Sequence, residues 1–150
     1  YEQSLRVVDL LEKDGRGLNL THEVRLGILG HSKGKADLFA APAGDPAPGP
    51  DDPPVEAMAV RICDRIAYLN HDIDDAVRAG LLRFEDLPEE VFEVLGRGHG
   101  ERIAAMVRNV VENSTDQPWV AMSEPVLGVT NRLKDFLFAH VYTHQNAAKE

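Results

Sequence analysis

The sequence is short of cysteine, of positive charge and of long apolar runs, and each shortage removes a class of function. Its one cysteine, Cys63, can form no intrachain disulfide and cannot alone build a thiolate metal cluster. That usage suits a reducing compartment, and the expected location is cytoplasmic. Lysine and arginine number 16 against 25 aspartates and glutamates, a net charge of −9 over 150 residues. So acidic a chain lacks the basic face of a general nucleic-acid or membrane-surface binder, although a local basic pocket for a phosphate chain is compatible with it. No apolar run approaches the roughly 20 residues of a membrane span, and no signal-peptide pattern is present. Convincing β alternation and internal repeats are also missing. What is there is 43% hydrophobic, enough for a real core in one domain of this length and unlike a disordered composition.

The periodicity that does exist is helical, and it centres on Pro54 to Leu82. Val55, Met58, Ala59, Ile62, Ile66 and Leu69 recur at three- and four-residue spacing, an amphipathic stripe. The Pro53-Pro54 pair suits a first helical turn, where a missing N–H costs nothing, and Gly80 suits a terminator. Asp64, Tyr68, Asp72 and Asp75 fall on the opposite side, with Ala57, Val60 and Ala67 among them. Such a helix can lean one face on a core and the other on a cleft. A bend is expected around Asn70–Asp72.

Around this stretch the chain predicts further helices. Residues 2–13 read as one, stopped near Gly15, and Thr21 is an N-cap candidate for a second through Leu29. Residues 35–53, rich in Ala, Pro, Gly and Asp without periodicity, read as a flexible connection. Asp86-Leu87-Pro88-Glu89-Glu90 has the grammar of a helix start, and that helix ends at Gly96. A longer one follows from Glu101 to about Asn113, with Ile103, Met106, Val107, Val110 and Val111 as its apolar stripe. The last begins near Ser123-Glu124-Pro125, with Leu133, Phe136, Leu137, His140 and Val141 as its buried face. The expected fold is all-α, an irregular bundle of about six helices.

The segment DRIAYLNHDIDDAVRAGLL (64–82) resembles the one that closes the metal site in HD-domain deoxynucleoside triphosphate triphosphohydrolases, the dGTPase-like family. The likeness extends through YEQSLRVVDLLEK and GLNLTHEVRLGILGHSKG upstream, and through LGRGHGERIAAMVRNVVENS and NRLKDFLFAHVYTH downstream. Together these blocks cover most of the chain outside residues 35–53. The resemblance implies that Asp64 is a metal ligand. The other ligands of the family, a histidine and a later His-Asp pair, would lie before Tyr1, together with the catalytic residues. The chain opens without methionine and inside a helical pattern, which fits the C-terminal part of a larger enzyme. On that reading residues 1–82 belong to the end of the HD catalytic domain and 83–150 to an associated helical region.

By the same resemblance Arg65 contacts the substrate's phosphates, to which its fork of N–H donors is suited. Tyr68 packs on the deoxyribose, and Asp72 accepts a hydrogen bond from the sugar 3′-hydroxyl. The implied parent activity converts a deoxynucleoside triphosphate, dGTP-like, to deoxynucleoside and triphosphate. The implied cofactor is a divalent metal ion of the Mg, Mn or Fe class, only partly liganded here. A homo-oligomer is expected, with no membrane or nucleic-acid partner. The alternative is a non-catalytic helical module that binds nucleotide or drives oligomerisation, and the chain alone is expected to be inactive.

Each residue also has a plainer reading. A lone helix aspartate such as Asp64 is ordinarily a surface charge, an arginine such as Arg65 likewise, and a tyrosine such as Tyr68 ordinarily core packing. His71-Asp72 follows the closing aspartate and is not the metal-binding His-Asp pair. DIDDAVRAG fails as a calcium loop, because Val77 and Arg83 stand where glycine and glutamate are required. GRGHG follows a helix rather than a strand and reads as a hinge more than an anion cradle. His140 and His144 have i,i+4 spacing, but near a helix end.

Overall fold

A computed structural model describes residues 2–30, 38 and 54–142 of the chain. The connection expected over 35–53 lies outside the described residues apart from Leu38, as do Pro53 and His144. Every described element is helical, and no strand occurs among the described residues, which bears out the all-α expectation.

The first helix, α1 (Glu2–Arg6), runs into one π-helical turn, Val7–Leu11. The chain then reverses through Glu12–Gly15, where Lys13 and Asp14 take left-handed backbone angles. The helix predicted over 2–13 therefore ends at Leu11, because two left-handed residues cannot continue it. Gly17 locks the reversal. Its φ is +70°, and a Cβ there would sit 2.1 Å from the Asp9 carbonyl oxygen, so only glycine fits. Gly17 N donates to the Glu12 carbonyl at 2.9 Å and Leu18 N to that of Val8 at 2.8 Å. From α2 (His22–Gly30), Arg25 reaches back with Nη2 and Nε to Asp9 Oδ2, at 2.7 and 3.1 Å.

The long helix, α3 (Val55–Arg78), is continuous, and the bend expected at Asn70–Asp72 is absent. Asn70 stays in the helix because its Nδ2 donates to the Ile66 carbonyl one turn back, at 2.8 Å. Pro54 precedes the first helical residue rather than occupying it. At the other end Leu81 N donates to the Ala76 carbonyl at 2.9 Å across Gly80 (φ +70°), a glycine-terminated helix end. The buried face is Ala57, Ile62, Arg65, Ile66, Leu69, Asn70, Ile73 and Ala76. Val55, Met58 and Ala59, expected in the stripe, are only partly buried. At that end α2 lies against the Ala57 side, with Gly27 so close that a Cβ on it would meet the Ala57 Cβ at 3.6 Å.

A 3₁₀ turn, Phe84–Asp86, leads to α4 (Glu89–Leu95), with Pro88 at its cap position. Asp86, expected to cap α4, instead closes the 3₁₀ turn by accepting from Arg83 N, Nε and Nη2. Next come α5 (His99–Ser114) and α6 (Glu124–Leu137), the latter extended by a π-helical turn, Phe138–Tyr142. Glu101 folds back so that Oε2 accepts from Gly98 N at 2.8 Å and Arg97 N at 3.0 Å. GRGHG is thus a capped helix start, with the Arg97 and Gly98 N–H groups engaged by Glu101.

Helices α3 to α6 share one core. Leu69, Ile73, Val91, Met106, Leu133 and Leu137 are fully enclosed, and Leu38 joins them. Each such aliphatic side chain contributes roughly 1.5–3 kcal/mol relative to exposure. Two expected core positions on α5, Val107 and Val111, face outward, and His140 on the terminal turn is exposed. On α5 the inward stripe is rotated to include Arg102, which is 1% exposed. An arginine reads as polar in any periodicity count, so the apolar pattern shows Ile103, Met106 and Val110, which do face the core, but not Arg102.

Candidate functional site

Four candidate residues come from α3, where steps of four residues stack side chains along one side of a helix. Asp64, Tyr68 and Asp72 follow that spacing, and Arg65 lies beside them. Asp64 is exposed, Arg65 is only 5% exposed, and Tyr68 and Asp72 are half-buried. The guanidinium carbon of Arg65 sits 5.3 Å from the centroid of the Tyr68 ring, within cation–π range. Burial pushes the Tyr68 hydroxyl's pKa up, partly opposed by the positive charges of Arg65 and Lys134. Arg61, one turn before Arg65, has its pKa lowered by burial and by Arg65 itself. Two arginines, Arg61 and Arg65, thus share this side of α3 with the carboxylates of Asp64 and Asp72.

The residue that completes the face lies seventy positions away. The Tyr142 hydroxyl donates a hydrogen bond to Asp72 Oδ2. Burial and the neighbouring carboxylate both disfavour a phenolate, so its pKa is pushed far above the ordinary tyrosine range. A cavity of about 200 Å³ beside the pair is lined by Asp72, Asp75, Ala76, Val141 and Tyr142. Lys134, two turns before Tyr142 on α6, is 4% exposed, with Nζ 3.0 Å from Asp135 Oδ1. Spacing within one helix cannot reveal Tyr142 or Lys134. Their one sequence signal is that NRLKDFLFAHVYTH, which holds both, is among the blocks that carry the resemblance.

Behind this face α3 is held by a buried polar network that the sequence reading missed entirely. Arg102 Nε donates to Asn70 Oδ1 at 2.9 Å, Nη1 to the Arg97 carbonyl at 2.8 Å, and Nη2 to Asp74 Oδ1 at 3.3 Å. Its guanidinium also lies 5.5 Å from the Phe84 ring centroid. Burial lowers its pKa, against the charge and hydrogen bond of Asp74. His99 Nδ1 approaches Asp74 Oδ2 to 2.7 Å, off the direction of a ring N–H. His71 is exposed, its ring 5.5 Å from that of His99.

A metal centre does not assemble from these residues. Among the described residues no three His, Cys, Asp or Glu side chains come together as a ligand set. Asp64 offers one exposed carboxylate, and a stable divalent site needs several oxygen or nitrogen donors. His140 Nδ1 is 2.9 Å from the Phe136 carbonyl, and its ring stacks on Phe136 at 4.2 Å, a packing role.

The chain is all-helical, with arginine, tyrosine and carboxylate side chains gathered where α3 meets the end of α6. Comparison with known proteins narrows this. A deoxyguanosinetriphosphate triphosphohydrolase-like protein of Caldanaerobacter subterraneus subsp. tengcongensis is 46% identical over 149 residues, 99% of this chain and 40% of the relative. Like-named proteins of Desulfatibacillum aliphaticivorans and Clostridium perfringens are 43% and 42% identical over 93% and 94% of the chain. The chain belongs to the deoxyguanosinetriphosphate triphosphohydrolase-like family, and it spans about 40% of the length of the relatives it matches. No family model and no solved structure matches it.

Proposed function

We propose that this chain supplies the sugar- and phosphate-binding face of a deoxynucleoside triphosphate triphosphohydrolase. The observation that carries the reading is the junction of Tyr142 with Asp72, beside the Arg65–Tyr68 pair. A carboxylate has about four lone-pair sites. With Oδ2 engaged by Tyr142, Asp72 is held in one orientation and keeps acceptor capacity for a sugar 3′-hydroxyl. Tyr68 offers the flat apolar surface on which a deoxyribose packs, and close contact there excludes a 2′-hydroxyl. Arg65, with Arg61 a turn away, places positive charge where a phosphate chain would run. Aimed at oxygens whose charge grows as the phosphate ester breaks, such groups lower the barrier.

Asp64 extends this face as a single donor to a divalent metal whose other ligands lie elsewhere in the complete protein. The metal would supply Lewis acidity at the phosphate, and the residues described here bind and orient the substrate. The chain by itself, with one such donor, is expected to release no triphosphate. The reading is tested on the full-length protein with each dNTP and several divalent metals, detecting inorganic triphosphate directly. Triphosphate formed from dNTPs and lost in Asp64→Asn supports it. Absence of that product across all dNTPs and metals overturns it.

A further inference from the structure

Helix α5 contributes no residue to the face described above, yet it holds both helices that do. Its inward side carries Arg102, Met106 and Asn109 at i, i+4 and i+7, one stripe of a helix. Arg102 divides its fork between Asn70, Asp74 and the Arg97 carbonyl, so α3 is tied to α5 at two points. Those points, residues 70 and 74, bracket Asp72. At about 100° per residue they lie well over a quarter-turn from it on either side, so pinning them turns Asp72 away from α5. Asn109 forms a reciprocal pair with Ser123, the residue before α6: Nδ2 donates to Oγ at 2.9 Å, and Oδ1 accepts from Ser123 N at 2.9 Å. The Ser123 hydroxyl does not cap its own helix and is used for this tie instead. Between the two ties Met106 is fully buried, with Sδ 3.6 Å from Asn70 Nδ2.

We infer that Arg102 and Asn109 are positioning residues: by tying α3 and the start of α6 to one helix, they set the register at which Asp72 meets Tyr142. A buried guanidinium is a poor device for stability alone, since an apolar side chain of similar size often stabilises as much or more. What it adds is direction. Hydrogen bonds weaken steeply with misalignment, whereas apolar contact tolerates sliding. The phenol–carboxylate contact between α3 and the end of α6 needs that alignment. The step from this register to substrate selection rests on the proposed function, but the register itself does not.

The test uses full-length protein with tyrosine Cζ labelled by ¹³C, the Tyr142 resonance being assigned through Tyr142→Phe. In Arg102→Lys and in Asn109→Ala, neither of which alters Tyr142 or Asp72, the Tyr142 resonance is expected to move toward that of a solvent-bonded phenol. Circular dichroism and melting identify which variants are folded, and Asn70→Ala replaces Arg102→Lys if the latter is not. A Tyr142 resonance unchanged in folded variants that merely melt earlier overturns the inference. On the same samples, preference for deoxy over 2′,3′-dideoxynucleoside triphosphates should fall roughly 10- to 100-fold per folded molecule, the scale of a misplaced catalytic geometry. A moved resonance with an unchanged preference upholds the positioning role and overturns the assignment of Asp72 to the sugar in the proposed function. If the unmutated protein hydrolyses no dNTP, the proposed function falls, and the resonance alone decides the inference.

Discussion

The two ends of the molecule are built on different physics. Across α1, the reversal and α2, Gly17 is the only buried residue among those whose burial is described, and Leu10, Leu11 and Val24 are each about half exposed. What holds this end is local and polar: left-handed residues, one obligatory glycine and the Arg25–Asp9 pair. A mainly apolar groove of about 710 Å³ runs along the contact of α2 with the start of α3, lined by Val24, Gly27, Ile28, Pro54, Ala57 and Val60 with Glu23 and Glu56 beside them. From Ile62 onward the order reverses, with Leu69, Ile73, Leu133 and Leu137 enclosed and the polar ties buried among them. The candidate site sits on the second kind of scaffold. A site that must hold a carboxylate and a phenol in contact needs a stiff core behind it, and the α3–α6 bundle supplies one.

The comparison breaks first at the core. Leu133→Ala should destabilise the bundle by about 2–5 kcal/mol, the range for a large-to-small change at an enclosed site. Leu10→Ala, at 59% exposure, should stay within about 0.5 kcal/mol. Urea unfolding of the two variants side by side measures the contrast, and equal losses would erase the distinction between the ends. Next in size is Gly17→Ala, which forces a Cβ into the Asp9 carbonyl at a left-handed φ. Its effect should be local, seen as faster proteolysis within residues 2–30 while the bundle's melting is little changed.

Asp9→Asn should remove a part-exposed ion pair and cost at most about 1 kcal/mol, with less effect in high salt. The smallest effect is a pH effect at the α5 start. Hydrogen bonds from the Gly98 and Arg97 N–H groups hold the Glu101 pKa below its ordinary value. A carboxylate depressed in the folded state stabilises above its unfolded pKa of about 4.3, and that contribution fades as pH falls through the folded value. The melting-temperature gap between the natural chain and Glu101→Ala should therefore be full at pH 7 and narrow below about pH 4. A gap that is constant over this range would show that Glu101 acts through packing instead.

Much of the helix order was legible because it rests on local rules. Gly80 and Gly96 stop helices where the sequence places stops, and Ser123-Glu124-Pro125 opens one. Failures came where a distant partner overrode the local pattern. Asn70 suggested a bend, but its amide is satisfied by the Ile66 carbonyl and the Arg102 guanidinium. Arg102 was invisible as a core residue because its burial depends on partners 28 and 32 positions away. At the candidate site, spacing placed Asp64, Tyr68 and Asp72 along one side of α3. Tyr142 could be joined to them only by folding, since no periodicity spans a separation of 70 positions.

The most direct test of the site is hydrolysis of deoxy against 2′,3′-dideoxynucleoside triphosphates by the full-length protein and its Asp72→Ala variant, with folding verified for both. If Asp72 accepts the 3′-hydroxyl, the natural protein should prefer the deoxynucleotide by roughly 10- to 100-fold in kcat/KM, the value of a hydrogen bond to a charged group. Asp72→Ala should bring the two substrates close to parity. A variant that keeps the full preference would contradict the assignment of this face to the sugar.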